Sequence, residues 1–213
     1  MEQAKVDNYR SERGAVSYHR DHQRKLHRRL SDRLERRIFG RYLAAIPKCE
    51  TILDLPSGFG RFFSLLSGHA HRVVEADVSE TMLALNAKEH GYAAAGYLRC
   101  SALDIPFEDR SIDVVVSVRL NHHFDAELDR EAHVREMMRV AGRAVIFTFF
   151  SFDSLKNRLR RLRSRFSPRR PKYTLRRQRV VEIAREHGFE VTRTAPLSRL
   201  SSGHIYALLE RRP

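Results

Sequence analysis

The chain has 213 residues, 42% of them hydrophobic, enough for one domain with an extension and too few for two full catalytic domains. It carries 40 Lys+Arg against 26 Asp+Glu, a formal net charge of +14, and no segment approaches the roughly 18 consecutive apolar residues of a membrane-spanning helix. Two cysteines, Cys49 and Cys100, are too few for a disulfide scaffold, and the amino terminus MEQAKVDNYR lacks the apolar core of a secretory signal, so a reducing cytoplasmic setting is expected.

Basicity is regional. Residues 156–179 hold twelve Lys/Arg and no acidic residue, and residues 10–37 are also rich in arginine, while the rest of the chain is close to neutral. Two positive segments on a near-neutral body suit an anionic partner such as nucleic acid, a phosphorylated saccharide or an anionic membrane surface. Only Phe166 and Tyr173 interrupt the second run, which gives little support to a stacking platform for single-stranded nucleic acid.

In chain order, Leu26, Leu30, Leu34, Ile38 and Leu43 predict an amphipathic helix within residues 10–46 that ends before Pro47 and packs on the body. TILDL at 51–55 reads as a buried strand, PSGFG as a turn and RFFSLLSG as a short apolar helix. RVVEAD at 72–77 is a second strand, followed by a helix over 79–91 with Ser79 as its N-cap and Gly91 as its stop. A short strand is expected near Tyr97–Cys100, and SIDVVVSV at 111–118 is apolar enough for a central parallel strand. The helix ELDREAHVREMMRV and the strand RAVIFTFF follow. A basic helix over 153–166 leads into the proline-broken SPRRPKY, then a helix capped by Thr174. FEVTRTAPL and HIYALLERR close the pattern as an antiparallel pair.

The expected fold is therefore α/β: a Rossmann-like, seven-stranded mixed sheet with helices on both faces and an antiparallel terminal strand. Residues 1–47 form a helical cap and 48–213 the main domain, with a basic insertion at about 153–175. In such a sheet a ligand sits at the carboxyl ends of the strands, where strand order reverses. DLPSGFG occupies that position after the first strand, with Gly58 and Gly60 allowing close backbone approach and Asp54 supplying a carboxylate. Asp77 ends the second strand and offers an acceptor pair for a ribose diol.

These segments resemble the class I methyltransferases that use S-adenosylmethionine. ILDLPSGFGRF looks like their first cofactor loop, EADVSETML like the second-strand motif, and LRCSALDIPFEDRSIDVVVSV like the stretch from the adenine-contacting turn through the fourth strand. The resemblance spans about residues 50–210 and implies S-adenosylmethionine as cofactor. It implies that Asp54, Gly58 and Gly60 shape the methionine side, Asp77 binds the ribose, Val78 and Met82 line the adenine pocket, and Ser101 and Ala102 lie at the adenine edge. Pro56 stands where the family loop has its first glycine, and Ser101 where an acidic residue is common.

An acceptor oxygen or nitrogen needs proton removal, and RLNHHF follows the fourth strand at the ligand-bearing edge. His122 or His123 is the expected base, and Arg119 and Asn121 the expected acceptor contacts. Tyr18 and His19, from the amino-terminal extension, are further candidate pocket residues. Neither the adjacent histidines nor the nearby carboxylates form a metal-ligand pattern. The expected activity is methylation, by preference O-methylation, of a small polar or anionic molecule or a glycan intermediate. An RNA methyltransferase and a non-catalytic nucleotide-binding adaptor are the alternatives.

Overall fold

A computed structural model describes residues 26–164, 173–198 and 202–212. Tyr18, His19 and part of the basic insertion lie outside the described residues. Helix α1 (Leu26–Leu43) leads into β1 (Cys49–Asp54), α2 (Phe63–Ser67), β2 (Ala70–Asp77), α3 (Glu80–Glu89) and β3 (Gly96–Arg99). The chain continues through β4 (Ile112–Ser117), a 3-10 turn at Asn121–His123, α4 (Glu127–Val140), β5 (Ala141–Phe150), α5 (Leu155–Ser164), α6 (Arg177–Glu186), β6 (Phe189–Pro196) and β7 (His204–Arg211).

The seven strands form one sheet in the order β3-β2-β1-β4-β5-β7-β6. β1 pairs in parallel with both β2 and β4, and β7 runs antiparallel to β5 and β6. Ile52, Leu53, Val114, Val115, Val116, Val145 and Ile146 are fully buried because both faces of the central strands are covered. Alternate side chains feed two apolar clusters, one on each side: Leu53, Val115 and Val145 pack with α4 and α6, while Ile52, Val114 and Ile146 pack with α1 and α2.

Local chemistry accounts for the ends of these elements. Ser79 adopts extended backbone and accepts a hydrogen bond from the Met82 N–H, as an N-cap should. The α6 cap differs from expectation: Arg176, not Thr174, occupies the N-cap position, and it makes no side-chain cap bond. Leu175, which is fully buried, instead bridges to Ser151 and pins the segment before the helix to the sheet edge.

Helix α1 shares the core of the sheet, but its inward face matches the expected stripe only at its carboxyl-terminal end, where Ile38 and Leu43 pack inward. Leu30 and Leu34 are 60% and 37% exposed, whereas Phe39, Tyr42 and Leu43 are buried. Phe39 stacks on Phe62 at 4.7 Å between ring centroids and meets Tyr206 edge-on at 5.8 Å. The inward face also carries Glu35, which has 0% exposure and forms ion pairs with both Arg61 and Arg119. Asp32 adds further contacts to Arg61, at 3.1 Å, and to Arg36, at 2.8 Å. Burial pushes the Glu35 carboxyl upward, but the Arg61 and Arg119 charges beside it outweigh it and hold it below the usual carboxylate range.

Glu35→Ala should leave two arginines facing each other without their shared counter-ion. The expected loss is about 3 kcal/mol, visible in thermal unfolding as a Tm fall of about 6–12 °C for a domain of this size. Glu35→Gln, which keeps the volume and one of the two acceptor oxygens, should lose less.

Candidate active-site cleft

Strand order reverses between β1 and β4, and a cleft opens at their carboxyl ends. It encloses about 900 Å³ of space, its open mouth included. One wall is the loop after β1, with Pro56, Ser57, Gly58, Phe59, Arg61 and Phe62. The second is the end of β2 and start of α3, with Asp77, Val78, Ser79 and Met82, and the third is the segment after β4, with Val118, Arg119, Leu120 and His123.

The β1 loop is held from below. Asp77 Oδ2 accepts the Gly58 N–H at 3.0 Å, and Asp77 Oδ1 accepts the Ser79 N–H at 2.9 Å, so one carboxylate ties the loop to the start of α3. Gly60 has φ +78°, and a Cβ there would lie 2.3 Å from Asn86 Oδ1 and 2.6 Å from the His90 ring. Only glycine allows this approach, and the His90 Nε2 in turn sits 3.0 Å from the Gly60 carbonyl.

Three acidic side chains lie behind the loop. Asp54, Glu75 and Asp77 are all buried, and neither Asp54 carboxylate oxygen has a hydrogen-bond donor among the described residues. Burial, with the Glu75 charge next in size, holds Asp54 well above the usual carboxylate range. Burial pushes Glu75 up to about 7 against the hydrogen bond that Asn86 donates to it. Asp77 is also raised by burial, opposed by the backbone N–H groups it accepts.

The expected site residues divide by position. Pro56, Gly58, Asp77, Val78, Met82, Arg119 and His123 share the cleft lining. Asp54 and Gly60 stand behind that wall. Ser101 and Ala102 are outside the lining: Ala102 is packed in the apolar core, and Ser101 Oγ accepts the Leu103 N–H in a tight turn. Asn121 is turned inward at 1% exposure, its amide donating to the Arg130 carbonyl at 2.9 Å and to His133 Nδ1 at 3.2 Å. Burial lowers His133 to about 3, so its ring is neutral and its other nitrogen donates to Ser117 Oγ at 3.1 Å. His122 packs against His123, Phe150 and His204, with ring centroids 4.3, 4.4 and 5.2 Å away. His123 is the histidine of the pair that reaches the cleft.

Sequence reasoning did not find Glu35 or Arg61. Arg61 directly follows the glycine turn and lines the cleft, so its place in the motif was a usable signal. Glu35 had none, because its partners are 26 and 84 residues away in the sequence.

The cleft provides acceptors, a close-approach backbone loop and apolar surface together, a combination that fits an adenosine-containing cofactor. Asp77 can accept ribose hydroxyls, and Val78 and Met82 can cover a base. Residues 53–149 match the model of a methyltransferase domain family. The structure resembles magnesium protoporphyrin IX methyltransferase from Synechocystis PCC 6803 with bound SAH, at TM-score 0.78 and 15% identity over 99% of this chain and 100% of that one. It also resembles a possible histamine N-methyltransferase from Thermotoga maritima, at TM-score 0.64 and 16% identity over 98% and 100% of the two chains. A curated relative, tRNA (carboxymethyluridine(34)-5-O)-methyltransferase from Xenopus tropicalis, is 26% identical over 113 residues, 52% of this chain but only 17% of that protein's length. Fold, cleft and family match together define a Rossmann-like methyltransferase. Its fold is that of class I, the enzymes that take their methyl group from S-adenosylmethionine, and residues 53–149 match the family itself.

Gly60→Ala should abolish measurable binding of S-adenosylhomocysteine in calorimetric titration, because a methyl at 60 must displace Asn86 or His90. The carboxyl pair behind the loop sets a pH dependence. Glu75 has a folded-state value raised above its ordinary 4.5 to about 7, so its contribution to stability is complete below the lower value and lost as pH rises through about 7. Glu75→Gln should flatten the Tm-against-pH curve over that window and raise Tm at alkaline pH.

Proposed function

We propose that the protein transfers a methyl group from S-adenosylmethionine to a small polar acceptor that enters between the β1 loop and the segment after β4. The observation that carries this reading is the opposition, across one cleft, of the donor-type wall made by Gly58 and Asp77 and an acceptor-type wall made by Arg119 and His123. The bound cofactor supplies an electrophilic methyl on a good leaving group, so the protein's task is positioning plus removal of the acceptor proton.

Each wall has a distinct role. Asp77 holds the β1 loop in register and has lone pairs left for a diol. Phe59, Phe62, Met82 and Leu120 make the cleft largely apolar, which excludes water and strengthens the polar contacts inside it. His123 takes the acceptor proton. Arg119, fixed by Glu35, keeps a positive charge at the rim, suited to a hydroxyl-bearing or anionic acceptor. O-methylation of a small molecule or glycan intermediate is the preferred reaction.

RNA methylation is the second reading. It is favoured by the curated tRNA-modifying relative and by the basic residues of 156–179, which could contact phosphates. Incubation of the protein and radiolabelled S-adenosylmethionine with fractionated cell extract separates the two. Label in small metabolites or saccharides is expected, and nuclease-sensitive label would reverse the ranking.

His123→Ala should lower kcat by about 100-fold with donor affinity unchanged, as expected for loss of a general base. His122→Ala should act mainly on stability, since its ring packs inside an aromatic cluster. Equal activity of both variants and the parent enzyme would remove the histidine from the mechanism.

A further inference from the structure

Helix α5 is turned inside out. Asn157, its polar residue, is 2% exposed and donates from Nδ2 to the Ser151 carbonyl at 2.8 Å. Leu155, Leu159 and Leu162 are 49%, 44% and 54% exposed. At about 100° per residue, the three leucines occupy an arc of about 60° centred about 170° from Asn157. The orientation is locked by contacts. A Cβ at Gly203 would fall 2.5 Å from Asn157 Nδ2, and Arg161 donates to the Phe152 carbonyl at 2.7 Å while its guanidinium lies 3.6 Å from the centroid of that residue's ring.

The leucine stripe has basic borders. Arg158 and Arg163 are exposed on either side of it, and LKNRLRRLRS contains no acidic residue. α1 repeats the pattern independently: Leu30 and Leu34 point outward beside exposed Arg33 and Arg37, while Glu35 points in. Both helices reach the carboxyl edge of the sheet, α1 only with its first half. α5 starts beyond the end of β5, and α1 reaches Arg119 beyond the end of β4.

We propose that α5, assisted by α1, is a docking face for an anionic lipid surface, with the leucines entering the boundary between headgroups and acyl chains and the arginines pairing with lipid phosphates. The stripe is convex and single-signed in charge. A bilayer interface accepts such a surface without shape complementarity, and anionic headgroups satisfy its charge. RNA would use the arginines but leave the leucines in water. A second copy of the chain would bring like charges together.

Flotation of the purified full chain with vesicles tests this without reference to methyl transfer. The protein should float with vesicles of phosphatidylcholine mixed with phosphatidylglycerol, remain behind with phosphatidylcholine alone, and be released by salt. Replacing Leu155, Leu159 and Leu162 together by Ser should weaken binding about tenfold or more, with the far-UV circular dichroism spectrum unchanged because all three are exposed. Arg158→Gln and Arg163→Gln should each weaken it about fivefold. The proposal is overturned if both vesicle types bind equally or neither binds. It is equally overturned if the leucine variant floats like the parent protein, or if the leucines serve only a dimer detected by ultracentrifugation.

Discussion

A single buried carboxylate organises the molecule. Glu35 carries its charge out of water, and that cost is met only because two guanidinium groups converge on it, Arg61 from the loop after β1 and Arg119 from the segment after β4. These are the two loops that bound the cleft on either side of the strand-order reversal. Through Glu35 helix α1 is therefore a strut between the two cleft walls. Its aromatic neighbours Phe39, Phe62 and Tyr206 exclude water from the ion pairs and so strengthen them.

A second group of charges has the opposite character. Asp54 and Glu75 are buried, and burial raises both carboxyls above the usual carboxylate range, with the Glu75 charge adding to the shift at Asp54. The backbone of the cofactor loop lies directly against this acidic cluster through the Gly58 bond to Asp77. The loop thus rests on one tight hydrogen-bond anchor to that cluster. Preorganisation of this kind reduces the rearrangement needed when a ligand binds.

Strand content was legible in the sequence because ILDL, RVVEAD, IDVVVS and RAVIFTFF are apolar runs separated by glycine, proline and capping residues. The Ser79 cap and the Asp77 position followed from local rules. The packing face of α1 did so only in part: five leucine and isoleucine positions make a convincing stripe, yet tertiary contacts turned Glu35 and Phe39 inward and left Leu30 and Leu34 outside. The same limit applied to RLNHHF. Adjacent residues in a short turn diverge, and only the folded chain shows that His123 meets the cleft while Asn121 is used up in holding His133. Thr174 carried the right chemistry for a cap, but burial of Leu175 moved the helix start past it.

The sheet order has a consequence for how the chain folds. β7 follows β6 in sequence but lies between β6 and β5, so β5 gains its second neighbour only when residues 204–211 are available. Until then the edge of AGRAVIFTFF, one of the most apolar strands, presents unpaired backbone, the condition that favours intermolecular strand pairing. Tyr206, which completes the surroundings of Glu35, arrives on that same strand. The clamp is therefore complete only once β7 has been made, and a ribosome-bound or truncated chain lacking β7 has both an aggregation-prone edge and an unfinished strut.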